Sequence, residues 1–170
     1  MRVTRGFSLL EFAVVVLIVA LTVYALLPNV SDSLKLAHET VVKQTSSALR
    51  ESLKLVALKH KALNTTAAVY DLAGVGSQQL DVNPAGFPIG IDRKPGEDRP
   101  LHAQDCEALW YALLGGIPPS ARVQGDSDFR VQTRFEPSHG LGCHYRYRRG
   151  GEMAIQYFPT DGVVTADVRF

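Results

Sequence analysis

Residues Phe7 to Leu27 form a run of 21 amino acids holding a single formal charge, Glu11. At about 1.5 Å rise per residue, a helix of that length extends roughly 31 Å, enough to cross the hydrocarbon core of a bilayer. The order of the parts around it is unusual. Arg2 and Arg5 form a short basic leader, and Gly6, a small residue suited to proteolysis, stands before the apolar run. A secretory signal has its small-residue cleavage site beyond the apolar region and loses that region on processing. Cleavage after Gly6 keeps it. Glu11 is the second oddity, because an acidic residue in a spanning helix costs about 2.5–3.5 kcal/mol on insertion scales and is normally paired or functional. Its place about one turn from the start of the run softens that cost, so it reads either as a carboxylate snorkelling to the headgroups or as the partner of a positive charge.

Gly6, Phe7 and Glu11 in GFSLLE, the unbroken apolar run and Pro28 at its end resemble the leader and N-terminal helix of type IV pilins and pseudopilins. The resemblance implies a prepilin peptidase that cuts between Gly6 and Phe7 and N-methylates the new Phe7 amine. It also implies that Glu11 pairs with the Phe7 amine of a neighbouring subunit and so sets register in a filament. The implied partners are other pilin subunits, met through the N-terminal helix, the peptidase and an inner-membrane assembly platform. The expected organisation is a leader at 1–6, a transmembrane and assembly helix at 7–28, its amphipathic continuation at 29–63 and a globular head at 64–170.

Setting aside roughly 60 of the 170 residues for one long helix leaves about 110, the size of one small domain. The net charge of +1, with both signs scattered, gives no global bias towards nucleic acid or an anionic surface. Arg2 and Arg5 precede the apolar run and no basic cluster follows it closely. The positive-inside rule therefore puts the N-terminus in the cytoplasm and the head outside, which for a pilin means the periplasm and then a filament. Cys106 and Cys143 then lie in an oxidising compartment.

Pro28 removes a backbone donor and predicts a kink or weak point, after which the helix resumes. Leu34, Ala37, Val41, Ala48, Ser52, Val56 and Leu63 recur at three- or four-residue steps and predict an amphipathic stripe to about Leu63. The Gly-, Pro- and Asp-rich stretch from Ala67 to Pro100 reads as a connecting loop with one or two short strands near Val69 and Leu80, and NPAGFPIGIDRKPGEDRP as a surface excursion. Asp92, Glu97 and Asp98 lack the alternating oxygen ligands of a calcium loop and read as a solvated turn.

DCEALWYALL predicts a short helix from Asp105, its N-cap, to Leu114. Trp110 on its apolar face reads as a core aromatic more readily than as a sugar-stacking residue. In the last forty residues, FRVQTRF, CHYRYR, EMAIQYF and VVTADVRF alternate with period two, and Asp161-Gly162 marks a hairpin turn. They predict a four-stranded antiparallel meander with Phe129, Tyr145, Ile155 and Val164 facing inward. The expected fold class is α+β, a long N-terminal helix packed on a four-stranded antiparallel sheet, the architecture the pilin resemblance also implies.

Cys106 and Cys143 read as a disulfide: they enclose 36 residues, and closing a loop of that size contributes roughly 4 kcal/mol in the chain-entropy model. The competing reading is a nucleophilic Cys143 activated by His144. It is the poorer one, since neighbours in a strand point to opposite faces and no third member of a catalytic group is evident. Asn83-Pro84, Gly86-Phe87-Pro88, the Cys106 helix, the proline pair after it and Cys143 with Tyr145 and Tyr147 are similar to minor pilins of the mannose-sensitive haemagglutinin type. A structural subunit of a type IV pilus or pilus-like fibre is the function implied. The alternatives are a pseudopilin of a type II secretion system and a DNA-binding competence pilin. Arg146, Arg148 and Arg149 beside tyrosines motivate the DNA reading, while the bland reading of three arginines on a strand face is solvation. No nucleophile elbow, HExxH, phosphate loop or useful carboxylate pair is present. The five histidines, at 38, 60, 102, 139 and 144, form no metal-ligand pattern. No enzymatic activity, cofactor or metal is expected.

Overall fold

The computed structural model describes residues 8–76, 79–97, 99–115 and 119–169, without the side chains of residues 27–29 and 31. Gly6, Phe7, Asp98 and the Pro28 side chain therefore lie outside the described residues. The chain divides into two units, Met1–Ala37 and His38–Phe170. One helix, α1 (Leu9–Ala62), contributes to both, and helix is assigned without a break across position 28.

In the first unit every described side chain is exposed. The 18 residues Leu9–Leu26 are long and apolar enough to cross a membrane. An exposed apolar helix of that length is consistent with a single-pass membrane anchor.

In the second unit α1 buries Val42, Thr45, Ser46, Leu49, Leu53, Val56 and His60. Of the stripe expected from sequence, Val56 alone is buried; Val41 and Ser52 are half-buried, and Leu34, Ala48 and Leu63 are exposed. The true stripe is rotated by about one residue, because Thr45, Ser46 and His60 dilute its apolar signal. Their polar atoms are satisfied locally: Thr45 Oγ1 donates to Val41 O at 2.7 Å, Ser46 Oγ donates to Lys43 O at 2.9 Å, and His60 Nε2 meets Ala67 O at 3.0 Å.

The expected single four-stranded sheet is not what forms. There are two sheets. A three-stranded antiparallel sheet contains β1 (Val69–Leu72), β2 (Leu80–Val82) and β3 (Pro88–Ile91) in that order. A five-stranded mixed sheet has the order β4 (Ala121–Arg122), β5 (Phe129–Glu136), β6 (Gly140–Tyr147), β7 (Glu152–Phe158), β8 (Val163–Arg169). Strand β4 runs parallel to β5, with Ala121 opposite Phe129 and Arg122 opposite Arg130. Two residues are too few for a period-two pattern to register. The link to β5 is pinned instead by Asp128, whose Oδ2 accepts Ser120 N–H and Oγ–H, both at 2.9 Å.

The first sheet was obscured by composition. Asn83 Oδ1 accepts the amides of Ala85 at 3.0 Å and Phe87 at 2.9 Å, folding an Asx-type turn. That turn sends Pro88–Ile91 back along β2 with Pro88 and Gly90 buried. The segment expected as a surface excursion thus supplies a strand. It is tied to the second sheet by Asn83 Nδ2 donating to Pro159 O at 2.7 Å and Tyr157 Oη donating to Pro88 O at 2.8 Å. Gly162, in the β7–β8 turn at φ +73°, has the Phe87 ring 2.1 Å from where a Cβ would stand, so no other residue fits there.

The inner face carries Phe129 and Val131 from β5, Cys143, Tyr145 and Tyr147 from β6, Met153, Ile155 and Tyr157 from β7, and Val164 from β8, all buried. Helix α2 (Ala103–Leu114) completes the core with Cys106, Leu109, Trp110 and Leu113. Trp110 is 1 % exposed and packs on Phe129 and Tyr145 with ring centroids 4.9 and 4.7 Å apart. Its Nε1–H donates to Pro119 O at 3.0 Å, so it is a core aromatic. Phe135 shares the period-two face of Phe129 and Val131 but lies near the end of β5 and is 67 % exposed. On edge strand β8, Val164 O accepts two N–H groups of Arg50, from Nε at 3.2 Å and Nη2 at 3.1 Å.

Candidate functional site

Cys106 and Cys143 are joined by a disulfide, with Cα atoms 5.5 Å apart, and both are buried. The bridge binds α2 to β6 beside the Trp110 cluster, where Tyr145 Oη donates to Cys106 O at 2.9 Å. Burial pushes the Tyr145 phenol well above its ordinary range, so it stays a neutral donor. A bonded, buried cysteine offers no nucleophile. This part of the molecule is structural.

Helix α2 starts earlier than expected, at Ala103, with His102 as N-cap. Asp105 lies one turn in, and its carboxylate accepts the His102 amide at 2.9 Å. The same carboxylate takes a two-pronged contact from Arg99, Nη1 and Nη2 each at 2.8 Å, and a third from Arg93 Nη2 at 3.2 Å. Burial by itself raises the Asp105 pKa, but these hydrogen bonds and the two positive charges outweigh it and hold the carboxyl below its usual range. Asp81 goes the other way. Burial outweighs the hydrogen bonds from the Arg93 and Asp71 amides and raises its pKa.

The histidines are dispersed. His38 Nδ1 meets Tyr147 Oη at 2.9 Å, His60 is buried at the end of α1, His102 caps α2, and His139 Nδ1 contacts Asp161 Oδ2 at 2.5 Å. His144 lies half-buried on the outer face of the sheet. Among the described residues no group of three or more His, Cys, Asp or Glu could hold a metal ion. Asp92 and Glu97 are exposed, and Glu97 is used by the Lys94 amide and by Arg99.

The outer face of the five-stranded sheet is the chemically distinctive surface. Arg146 and Arg148 project from it with His144, opposite to Cys143, Tyr145 and Tyr147. Strand β6 is central in the sheet order, so its arginines do not guard an edge. Arg148 pairs with Asp126 at 3.2 Å and Arg149 with Asp128 at 2.6 Å. Two of the three arginines considered for nucleic acid therefore already have a carboxylate partner. The register places other residues beside Arg146: Ala154 opposite it on β7 and Asp167 beyond on β8, with His144, Gln156 and Thr165 in the next row. A depression of about 600 Å³ opens there, lined also by Arg134 and Arg169. Period-two alternation marks each of these as outward-facing. Which ones meet across strands depends on register, and no single strand encodes that.

At the other end of the chain Glu11 lies in the first turn of α1, exposed within the apolar segment. No family model, no curated protein and no solved structure matches the chain.

Proposed function

We propose that the protein is a structural subunit of a type IV pilus or pilus-like fibre, of the minor-pilin kind, and that it works by assembly. One observation carries this reading. The residues Gly6-Phe7-Ser8-Leu9-Leu10-Glu11 lead straight into an exposed helix, Leu9–Leu26, of bilayer length. The head's two sheets are no part of the argument. In this reading the precursor waits in the bacterial inner membrane with its N-terminus in the cytoplasm and its head in the periplasm. Prepilin peptidase removes residues 1–6 and methylates Phe7. The assembly platform then draws the subunit into the fibre, where helix packing replaces lipid contacts and Glu11 meets the Phe7 amine of a neighbour. An ion pair of that kind is strongest where lipid and protein exclude water. The same maturation serves a secretion pseudopilus, and sheared surface filaments containing the subunit separate the two.

The test is the N-terminus of the native protein. Mass spectrometry is expected to find a chain beginning at N-methylated Phe7, and Gly6→Ala is expected to leave the precursor uncut. A mature chain starting beyond Leu27 overturns the proposal.

A further inference from the structure

We propose that the depression on the outer face of the five-stranded sheet binds a small polyhydroxylated carboxylic acid, a sugar acid of the uronate type. The site is built by register. Arg146, Ala154 and Asp167 form one row across β6, β7 and β8, and His144 and Gln156 form part of the next. Ala154 is a short, buried floor between two long side chains, which is why the face is concave at that point. A volume of about 600 Å³ is in the range of small-molecule sites.

The charges say what fits. Arg169 is held by Asp167 at 3.1 Å and Arg148 by Asp126. Among the described residues neither the Arg134 nor the Arg146 side chain has a hydrogen bond or ion pair, and both line the depression. Two free guanidinium groups offer forked donors matched to a planar carboxylate. Burial, then the positive fields of Arg134 and Arg146, depress the His144 pKa, so its imidazole is neutral and presents one donor and one acceptor. Gln156 offers both as well. Asp167 and Glu152 also line the site, and as acceptors they suit hydroxyl donors.

Those two carboxylates argue against a polyanion. A nucleic-acid strand would bring phosphates against them, and it would find no free Phe, Tyr or Trp ring among the lining residues to stack on. Tyr147 borders the depression, but its own ring is packed on Phe129 at 5.0 Å in the core. A ligand with one carboxylate and several hydroxyl groups satisfies every side chain named.

The experiment is isothermal titration of the full-length chain in non-ionic detergent with galacturonate, and in parallel with galactose, inorganic phosphate and a thymidine oligonucleotide. Galacturonate is expected to bind, galactose and phosphate to bind at least about tenfold more weakly, and Arg134→Ala and Arg146→Ala each to weaken galacturonate by about tenfold or more. Arg149→Ala, outside the depression, is the control and is expected to bind as the parent does. Unfolding midpoints of the variants, read by fluorescence, keep a folding defect from passing as a binding defect. Galacturonate binding no better than galactose, or unchanged in both arginine variants, overturns the proposal. Phosphate binding as tightly as galacturonate would reduce the site to a general anion trap. Tighter binding of the oligonucleotide through the same arginines would make it a nucleic-acid surface. Either result refutes the sugar-acid assignment.

Discussion

Replacing Asp105 with Asn removes one charge and almost no volume from the start of α2, and the cost can be worked from its surroundings. The side chains of Asp105 and Arg93 are each 7 % exposed, so the carboxylate is the counter-charge of a guanidinium that water scarcely reaches. Arg93 Nε has no partner among the described groups, and its Nη1 is committed to Arg99 O at 3.1 Å. It has nowhere else to turn. Breaking a buried pair from one side costs about 3–5 kcal/mol. Arg99 is more exposed and has Glu97 at 3.0 Å to fall back on, which argues for the lower end, about 3 kcal/mol. The assay is urea unfolding of the full-length chain in detergent, followed by the fluorescence of Trp110, the sole tryptophan and a core residue. The pH dependence supplies an independent check. The folded-state pKa of Asp105 is depressed, so its contribution is fully present above the unfolded value, about 3.9, and is lost as pH falls through the folded value. The gap between parent and Asp105→Asn should therefore be full at pH 7 and shrink below about pH 4. Replacing both partners, Arg93→Met with Asp105→Leu, should recover most of the loss. A gap under about 1 kcal/mol at pH 7, or one that does not narrow in acid, would refute this account of the ion pair.

Two further outcomes follow from features already described. Cys106→Ala with Cys143→Ala opens a bridge spanning 37 positions and should cost about 3–4 kcal/mol in the same unfolding assay; an unmoved urea midpoint would show that packing alone joins α2 to β6. Glu11→Val removes the one charge in the apolar run, so processing after Gly6 should proceed while recovery of the subunit in sheared filaments falls severalfold; unchanged recovery would remove the register role.

The parts legible in the sequence are those where one strand or helix carries its own signal. Strands β5 to β8 announce themselves because Arg and Gln alternate with Phe, Val and Tyr, and the buried set of β6, Cys143, Tyr145 and Tyr147, follows directly. The parts that were hidden depend on distant partners. Two residues of β4 have no period. Strand β3 includes Pro88 and Gly90, both poor strand formers, and persists because Asn83 folds the turn before it and β2 lies alongside. Asp105 looked like an N-cap because it opens an apolar run; its actual role needs Arg93 and Arg99, which reach it from a stretch that reads as loop. On α1 the buried stripe includes Thr45, Ser46 and His60, a choice made by the surface it packs against. The sugar-acid depression has the same character, since each side chain is visibly outward and only the pairing of three strands assembles them.

Strand β8 ends the larger sheet, and its Val164 carbonyl has both lone pairs filled by a side chain of the helix behind it. A strand arriving from another molecule finds that acceptor taken and must evict a guanidinium before it can dock. Growth of the sheet by templated addition is thereby discouraged on that side. Crowding many copies of this head side by side, as a fibre would, then carries less risk of fusing their sheets into an aggregate.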